Sequence, residues 1–381
     1  MTHSCLIISA NQVVSPYPVY PLGAAHLLGT LEKHGISGSH FDMLADGLHD
    51  GLREHLLNNN YDAVALSIRN LETVDSSIPD RYLDKIVTTM EIIRSQSDAP
   101  VVIGGSGFSI LPETVLEVLG GDYGVVGEGE VLFPWLLEEI FSGRPPQQKL
   151  FYADPEQYPW DQPIYSPTAA DYYIRHGGML NIQTKRGCPY NCAYCSYPVL
   201  EGRRLRLRDP EEIANEVARL TRDHGARYIF FTDSVFNDHS GHFRHIAEAL
   251  IKTGNKTPWC GFFRPKNLST DDLRLLKRSG LAAMEIGTDG ACDTTLAALN
   301  KGFSFSDVEA VNKRVTAEGI PCAHFVMFGG PGESEQTLEE GLANLDRLED
   351  CLVFAYAGIR IFPDTEIHRL ALSEAVITSD T

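Results

Sequence analysis

Short apolar runs alternate along the chain with longer stretches whose apolar positions recur at helical spacing. The short runs read as buried strands and the longer stretches as amphipathic helices. From the N-terminus the pattern predicts a strand over 5–9, a helix over 22–33 closed by Gly35, a strand over 39–43, a helix over 48–57 and a strand over 63–68. A helix over 82–95, strands over 101–103 and 123–126 and a helix over 131–141 follow. Such alternation implies an α/β domain, about residues 1–145, built as a doubly wound parallel sheet. Ligands of such sheets sit beyond the C-terminal ends of the strands. Glycines gather at two of those ends: Gly104, Gly105 and Gly107 after one strand, Gly127 and Gly129 around Glu128 after another. Glycine there lets backbone approach a ligand closely.

The pattern breaks between about 146 and 178. Pro145, Pro146, Pro155, Pro159, Pro163 and Pro167 punctuate this stretch, with Tyr152, Tyr158, Trp160, Tyr165, Tyr172 and Tyr173 interleaved. Prolines at this density favour extended, irregular chain, so a linker is expected. Alternation then resumes to residue 381. Strands are predicted over 180–184, 228–232, 259–263, 283–286, 322–328 and 355–361. Between them come helices over 211–224 (opened by Asp209 and Pro210), 242–253, 270–279, 293–299, 306–318 and 338–348. Six strand–helix units predict a partial (β/α)6 barrel of TIM-like type, whose site would lie at the C-terminal mouth.

Composition narrows the function. The 381 residues are 43% hydrophobic and 22% charged, enough for two cores. Lys and Arg number 32 against 51 Asp and Glu, a formal charge of -19, which argues against a general nucleic-acid or anionic-membrane binder. No apolar run reaches the roughly 18–20 residues of a membrane span. The opening Met1–Ile8 has no basic leader and reads as a first strand, so the cytoplasm is the expected compartment. Cys5, Cys260, Cys292, Cys322 and Cys351 are scattered and read as small buried hydrophobes.

Three further cysteines are not scattered. Cys188, Cys192 and Cys195 stand in the run Arg186-Gly187-Cys188-Pro189-Tyr190-Asn191-Cys192-Ala193-Tyr194-Cys195, spaced C-x3-C-x2-C. Structural zinc normally takes four ligands, as two pairs across a spacer, and no second pair follows. A disulfide framework does not suit a large chain with scattered cysteines. Three thiolates are one short of the usual complement of an iron–sulfur cluster, so one iron would stay open to a small molecule.

That run resembles the cluster loop of the radical S-adenosylmethionine (SAM) superfamily. The resemblance implies a 4Fe–4S cluster on the three cysteines, with SAM chelating the fourth iron. Asp233, in Thr232-Asp233-Ser234, falls where the superfamily positions the SAM amino group. Glu285-Ile286-Gly287-Thr288-Asp289-Gly290 resembles the E-x-G-x-E-S-G segment near the SAM ribose and carboxylate, with Asp289 one methylene shorter than the usual glutamate. Asn300-Lys301-Gly302 matches a following N-K-G. Gly329-Gly330-Pro331-Gly332-Glu333 resembles the turn near adenine and methionine, and Arg360 and Pro363 match the last segment. Arg264 would either meet a carboxylate or phosphate or form an ion pair. Arg203, Arg204, Arg206 and Arg208 would either be a solvated cationic stretch, or grip an anionic substrate group, or dock a reductase.

The first domain resembles the Rossmann-like cobalamin-binding domain found ahead of many radical SAM domains. Its matching pieces are Tyr20-Pro21-Leu22-Gly23, Gly104-Gly105-Ser106-Gly107-Phe108 with Pro112-Glu113, and Gly127-Glu128-Gly129-Glu130. It lacks the D-x-H-x-x-G motif whose histidine replaces the lower cobalt ligand. His26, His34, His40, His49 and His55 lie outside that context and read as surface or helix residues. A dinucleotide fingerprint is also missing after the first strand.

Together the resemblances imply an enzyme that cleaves SAM reductively to a 5′-deoxyadenosyl radical and, with cobalamin, methylates an unactivated carbon. A radical rearrangement or cyclisation without methyl transfer, or a non-catalytic electron carrier, are the rival expectations. A flavodoxin- or ferredoxin-type donor and a small-molecule or lipid-like substrate are the expected partners.

Overall fold

The computed structural model describes residues 3–73, 81–155 and 160–378. Tyr158 and Pro159 of the expected linker, and Met1 and Thr2 of the opening run, lie outside the described residues. The chain divides into two compact units, the first up to Gly178 and the second from Met179.

In the first unit the order is β1 (Ser4–Ser9), α1 (Leu22–Lys33), β2 (Ser37–Asp42), α2 (Leu48–Asn58), β3 (Ala63–Ser67), α3 (Tyr82–Gln96), β4 (Val101–Gly104), α4 (Pro112–Leu119), β5 (Tyr123–Val126), α5 (Gly129–Phe141), β6 (Leu150–Tyr152) and α6 (Pro167–Gly177). All sheet pairs are parallel, in the order β2-β1-β3-β4-β5-β6. The order reverses at β1 and β3, which opens a crevice at their C-terminal ends. Both faces are covered, so β1 is buried from Cys5 to Ser9 and reads as a continuous apolar run. Leu6 and Ile8 pack with Ile86 and Met90 of α3 on one face, and Cys5 and Ile7 with Leu31 of α1 and Leu136 of α5 on the other.

The expected irregular linker carries a strand and a helix. Ser166 Oγ accepts from Ala169 N and Pro167 takes the first helical turn, where its missing N–H costs nothing, so α6 forms despite the prolines around it. Tyr173 of α6 is fully buried, its hydroxyl donating to Asp42 Oδ2 over 3.1 Å. Burial raises the Asp42 carboxyl to about 6, against the pull of the Ala45 and Leu44 amides and Tyr173. His26 is a helix residue of α1, as expected, and is buried, whereas His40 lies half-buried in strand β2, bonded to Ser9 Oγ at 2.8 Å.

The second unit runs β7 (Leu180–Ile182), β8 (Lys185–Arg186), α7 (Tyr197–Leu200), β9 (Arg206–Leu207), α8 (Pro210–His224), β10 (Ile229–Phe231), α9 (His242–Lys252), β11 (Trp259–Phe263), α10 (Thr270–Ser279), β12 (Met284–Asp289), α11 (Asp293–Ala298), α12 (Phe305–Ala317), β13 (Cys322–Phe328), α13 (Glu335–Leu345), β14 (Leu352–Ala357) and α14 (Glu366–Ser373). Six parallel strands follow chain order, β7-β10-β11-β12-β13-β14, and the antiparallel pair β8–β9 stands apart. β14 ends earlier than expected because Gly358 turns with φ 88°. Capping boxes at Ser269, Ser304 and Ser334 fix three helix starts, the last ahead of its expected place at 338. Among the described residues no helix is long and apolar enough to cross a membrane.

Candidate functional site

The cysteine loop leaves β8 and returns to β9. Gly187 has φ 83°, and a Cβ there would lie 2.1 Å from Arg204 O, so only glycine lets the two arms of the loop close. Cys188 N donates to Gly202 O over 3.0 Å, and Cys195 N to Cys192 O over 3.1 Å. Ala193 is held on both sides, its N–H by Leu299 O at 3.0 Å and its carbonyl by Ile367 N of α14 at 2.9 Å. All three cysteines are free thiols. Burial, with Cys192 and Cys188 adding to it, holds the Cys195 thiol up at about 12 against the pull of the Tyr197 amide and Lys301. Burial also raises Cys188, partly offset by the Tyr190 amide, Ser234 and Arg264. Among the described residues no three His, Cys, Asp or Glu side chains are already gathered as a metal cage. The thiols lie within electrostatic reach of one another and of two cations. That donor set suits a cationic iron–sulfur core, which stabilises thiolates that otherwise repel.

Asp289 is the expected SAM-binding acid that the structure brings to this loop. A register shift between Gly287 and Asp289 leaves Thr288 as a bulge, and Asp289 takes φ 63°. Its carboxylate accepts from Tyr194 Oη at 2.8 Å and pairs with Lys301 Nζ. Lys301 is nearly enclosed, its side chain 5% exposed. The Arg264 guanidinium lies 3.6 Å from the Tyr190 ring centroid and donates to Lys301 O.

Asp233 stands just past β10. It is fully enclosed, accepting from Thr184 N at 2.6 Å, from Thr184 Oγ1 and from Lys185 N at 3.3 Å. These bonds tie the chain just past β10 to Thr184 and to Lys185 of β8. Its neighbour Ser234 reaches the loop, donating to Gly187 O at 3.2 Å. Glu285 faces the same side of β12 as Gly287 and Asp289, and its charge helps burial raise the Cys260 thiol. At the end of β13, Gly329 N donates to Glu333 Oε2 at 2.9 Å, and Gly330 packs on Ile359. Arg208 is buried against Glu216 and Gln183 O, which removes it from the expected cationic stretch, whereas Arg203 and Arg204 are exposed.

In the first unit Gly104 and Gly105 end β4, and Gly127 and Glu128 follow β5. Gly105 has φ 99°, and a Cβ there would stand 2.5 Å from Ile68 O. Gly127 N is held by Ser109 Oγ at 2.8 Å, and Glu128 opens α5. A recess at the β1/β3 crevice is lined by Asn11, Gln12, Arg69, Asn70 and Lys85. Among the described residues, Asn11 Nδ2 and Gln12 Nε2 are buried there without a partner. Two unspent amide donors at a strand-order reversal can serve a ligand that carries hydrogen-bond acceptors. Sequence reasoning missed these lining residues. For Asn11, Gln12, Arg69 and Asn70 the only signal was their place just after β1 and β3, and Lys85 of α3 had none. It also missed Tyr194 and gave Lys301 no role, though a lysine inside a glycine turn was a hint.

Residues 182–343 match the Radical SAM superfamily and residues 8–137 the B12 binding domain. The chain is 22% identical over 438 residues to tryptophan 2-C-methyltransferase of Streptomyces laurentii, covering 94% of this chain and 72% of that protein. It is 25% identical over 346 residues to the anaerobic magnesium-protoporphyrin IX monomethyl ester cyclase of Cereibacter sphaeroides, covering 84% and 55%. In fold it is similar to the radical SAM methyltransferase TsrM of Kitasatospora setae, solved with cobalamin and a [4Fe-4S] cluster bound, with TM-score 0.88, 24% identity and 100% and 80% coverage. The cobalamin-dependent SAM radical enzyme OxsB is similar with TM-score 0.71, 16% identity and 98% and 56% coverage. The chain carries a B12-binding domain over residues 8–137 ahead of a Radical SAM domain over residues 182–343.

Proposed function

We propose that this enzyme is a cobalamin-dependent methyltransferase that moves the methyl group of SAM to an unactivated carbon of a small substrate. The observation that carries the reading is the pairing, in one chain, of a three-thiol loop with a recess of unpartnered amides at a sheet crevice. When bound, the cluster supplies one electron at low potential for SAM cleavage and cobalamin supplies a methyl carrier. Cys188, Cys192 and Cys195 hold the cluster. Lys301, Asp289 and Tyr194 brace the loop from below. Gly329 and Gly330 line the expected SAM side and Glu285 the inner strand face, while Gly104, Gly105, Gly127 and Glu128 border the corrinoid edge. The electron comes from a ferredoxin- or flavodoxin-type donor, and a reducing cytoplasm suits an oxygen-sensitive cluster.

The similarity to a cyclase supports a second reading, in which the same two cofactors close a ring without methyl transfer. Anaerobic reconstitution with iron, sulfide and hydroxocobalamin separates the two. With SAM deuterated in its methyl group, a product heavier by that methyl group supports the proposal. A bound corrinoid with 5′-deoxyadenosine but no labelled product would favour the second reading, and no bound corrinoid would refute both.

A further inference from the structure

We propose that Lys301 and Asp289 form a buried charge pair that sets the reduction potential of the cluster on Cys188, Cys192 and Cys195. The inference rests on reading the three cysteines as a cluster site, and deepens it by naming residues that are not ligands. The Lys301 side chain is 5% exposed and that of Asp289 13%, so water screens neither charge well. Lys301 Nζ lies 5.7 Å from the ring of Tyr194, the residue just before Cys195. Tyr194 in turn donates to Asp289 at 2.8 Å. The pair is thus tied to the half of the loop that carries Cys192 and Cys195.

The pair is also held from behind. The bulged Thr288 is fully buried and its hydroxyl meets His324 Nδ1 at 2.7 Å. His324 Nε2 meets Asn312 Oδ1 of α12 at 3.1 Å, and Asn312 Nδ2 donates to Glu349 O at 2.9 Å. This buried chain fixes the bulge, and the bulge gives Asp289 the positive φ that turns its carboxylate toward Tyr194 and Lys301. A charge pair so rigidly placed cannot reorient when an electron arrives, so its field acts at full strength on the reduced state.

Reduction adds one electron from an external donor, makes or breaks no bond, and raises the negative charge inside the tripod by one. A lone cation beside it favours the reduced state, and a lone anion disfavours it. As a pair, Lys301 and Asp289 nearly cancel. Removing either one exposes the other, and the two removals act in opposite directions.

The test is a potentiometric titration of the reconstituted full chain at pH 8 with dithionite, followed by the paramagnetic signal of the reduced cluster. Iron content and that signal in the unaltered protein check the cluster reading itself; without them the reading fails and the inference falls with it. Given a loaded cluster, Lys301→Met shifts the potential more negative and Asp289→Asn more positive. The double variant returns toward the original value, and Lys301→Arg stays near it. Tyr194→Phe, which keeps both charges, leaves the potential in place. Shifts of the same sign, no shift, or an equal shift in Tyr194→Phe would overturn the proposal. So would failure of both charge variants to take up iron, which would make the pair a structural part of the loop.

Discussion

Lys185 offers a quantitative test of how the barrel carries the cysteine loop. It has no solvent exposure, and its Nζ donates to Phe236 O at 2.7 Å, pairs with Asp238 and lies 4.0 Å from Asp233. Both carboxylates are likewise enclosed. Lys185→Met fills the same space and leaves two buried anions without their cation, at a cost of about 3–5 kcal/mol. With a urea slope of about 2–3 kcal/mol/M, the midpoint of the second unit falls by about 1–2 M. Trp259 reports it: it is 1% exposed, packs on Phe231 and Phe236 at 5.2 and 5.0 Å, and is the only tryptophan left once Trp135 and Trp160 are changed to Phe. The pH dependence has a definite sign. In the unaltered protein burial opposes ionisation of Asp238, but Lys185 and Ser240 outweigh it and hold the carboxyl below its ordinary range. Asp233 is raised by burial despite Lys185. Without the lysine both lie above their unfolded value, so the folded state takes up protons and loses stability as pH rises. The deficit therefore widens between pH 5 and 8, by at most about 1.4 kcal/mol per unit and per carboxylate. A loss under about 1 kcal/mol, or one equal at both pH values, would refute the reasoning.

Four shorter predictions accompany it. Cys192→Ala abolishes product formation and lowers iron content while the corrinoid spectrum persists; undiminished turnover would contradict the tripod. Gly187→Ala meets Arg204 O and a positive φ, a cost of at least about 1–2 kcal/mol for the backbone alone, and iron uptake drops with the unfolding of the first unit unchanged. Gly105→Ala collides with Ile68 O in the same way, and corrinoid binding falls while iron uptake is retained. Asp42, raised by burial to about 6, stabilises the first unit fully below about pH 4 and loses that share as pH rises through 6. Asp42→Asn should flatten a change of about 2–3 kcal/mol between pH 4 and 7.5 in urea titrations.

Sheet strands were legible because parallel strands buried on both faces leave unbroken apolar runs, as Cys5–Ile8 shows. The C-x3-C-x2-C run was legible because its thiols are near neighbours in sequence, and what they hold is the proposal made above. Other features depend on tertiary geometry that no local pattern encodes. The bulge at Thr288 and the turn of Asp289 arise from register against β13. Arg208 reads as one of four alike, yet it alone among the four is buried, against Glu216. Asp233 sits in a segment that matches a ligand-binding pattern, and no local signal announces that the hydroxyl of Thr184, with no motif of its own, donates to its carboxylate. In α6 a capping serine and one well-placed proline prevailed over the average of the prolines around them.

The bond from Ile367 to Ala193 has a bearing on biogenesis. Because translation delivers the thiol-bearing segment well before Glu366–Ser373 emerges, the backing of the cysteine loop stays unfinished until α14 has left the ribosome. Iron delivery would then follow translation, and ribosome-stalled chains ending ahead of Glu366 should retain little iron beside their released counterparts.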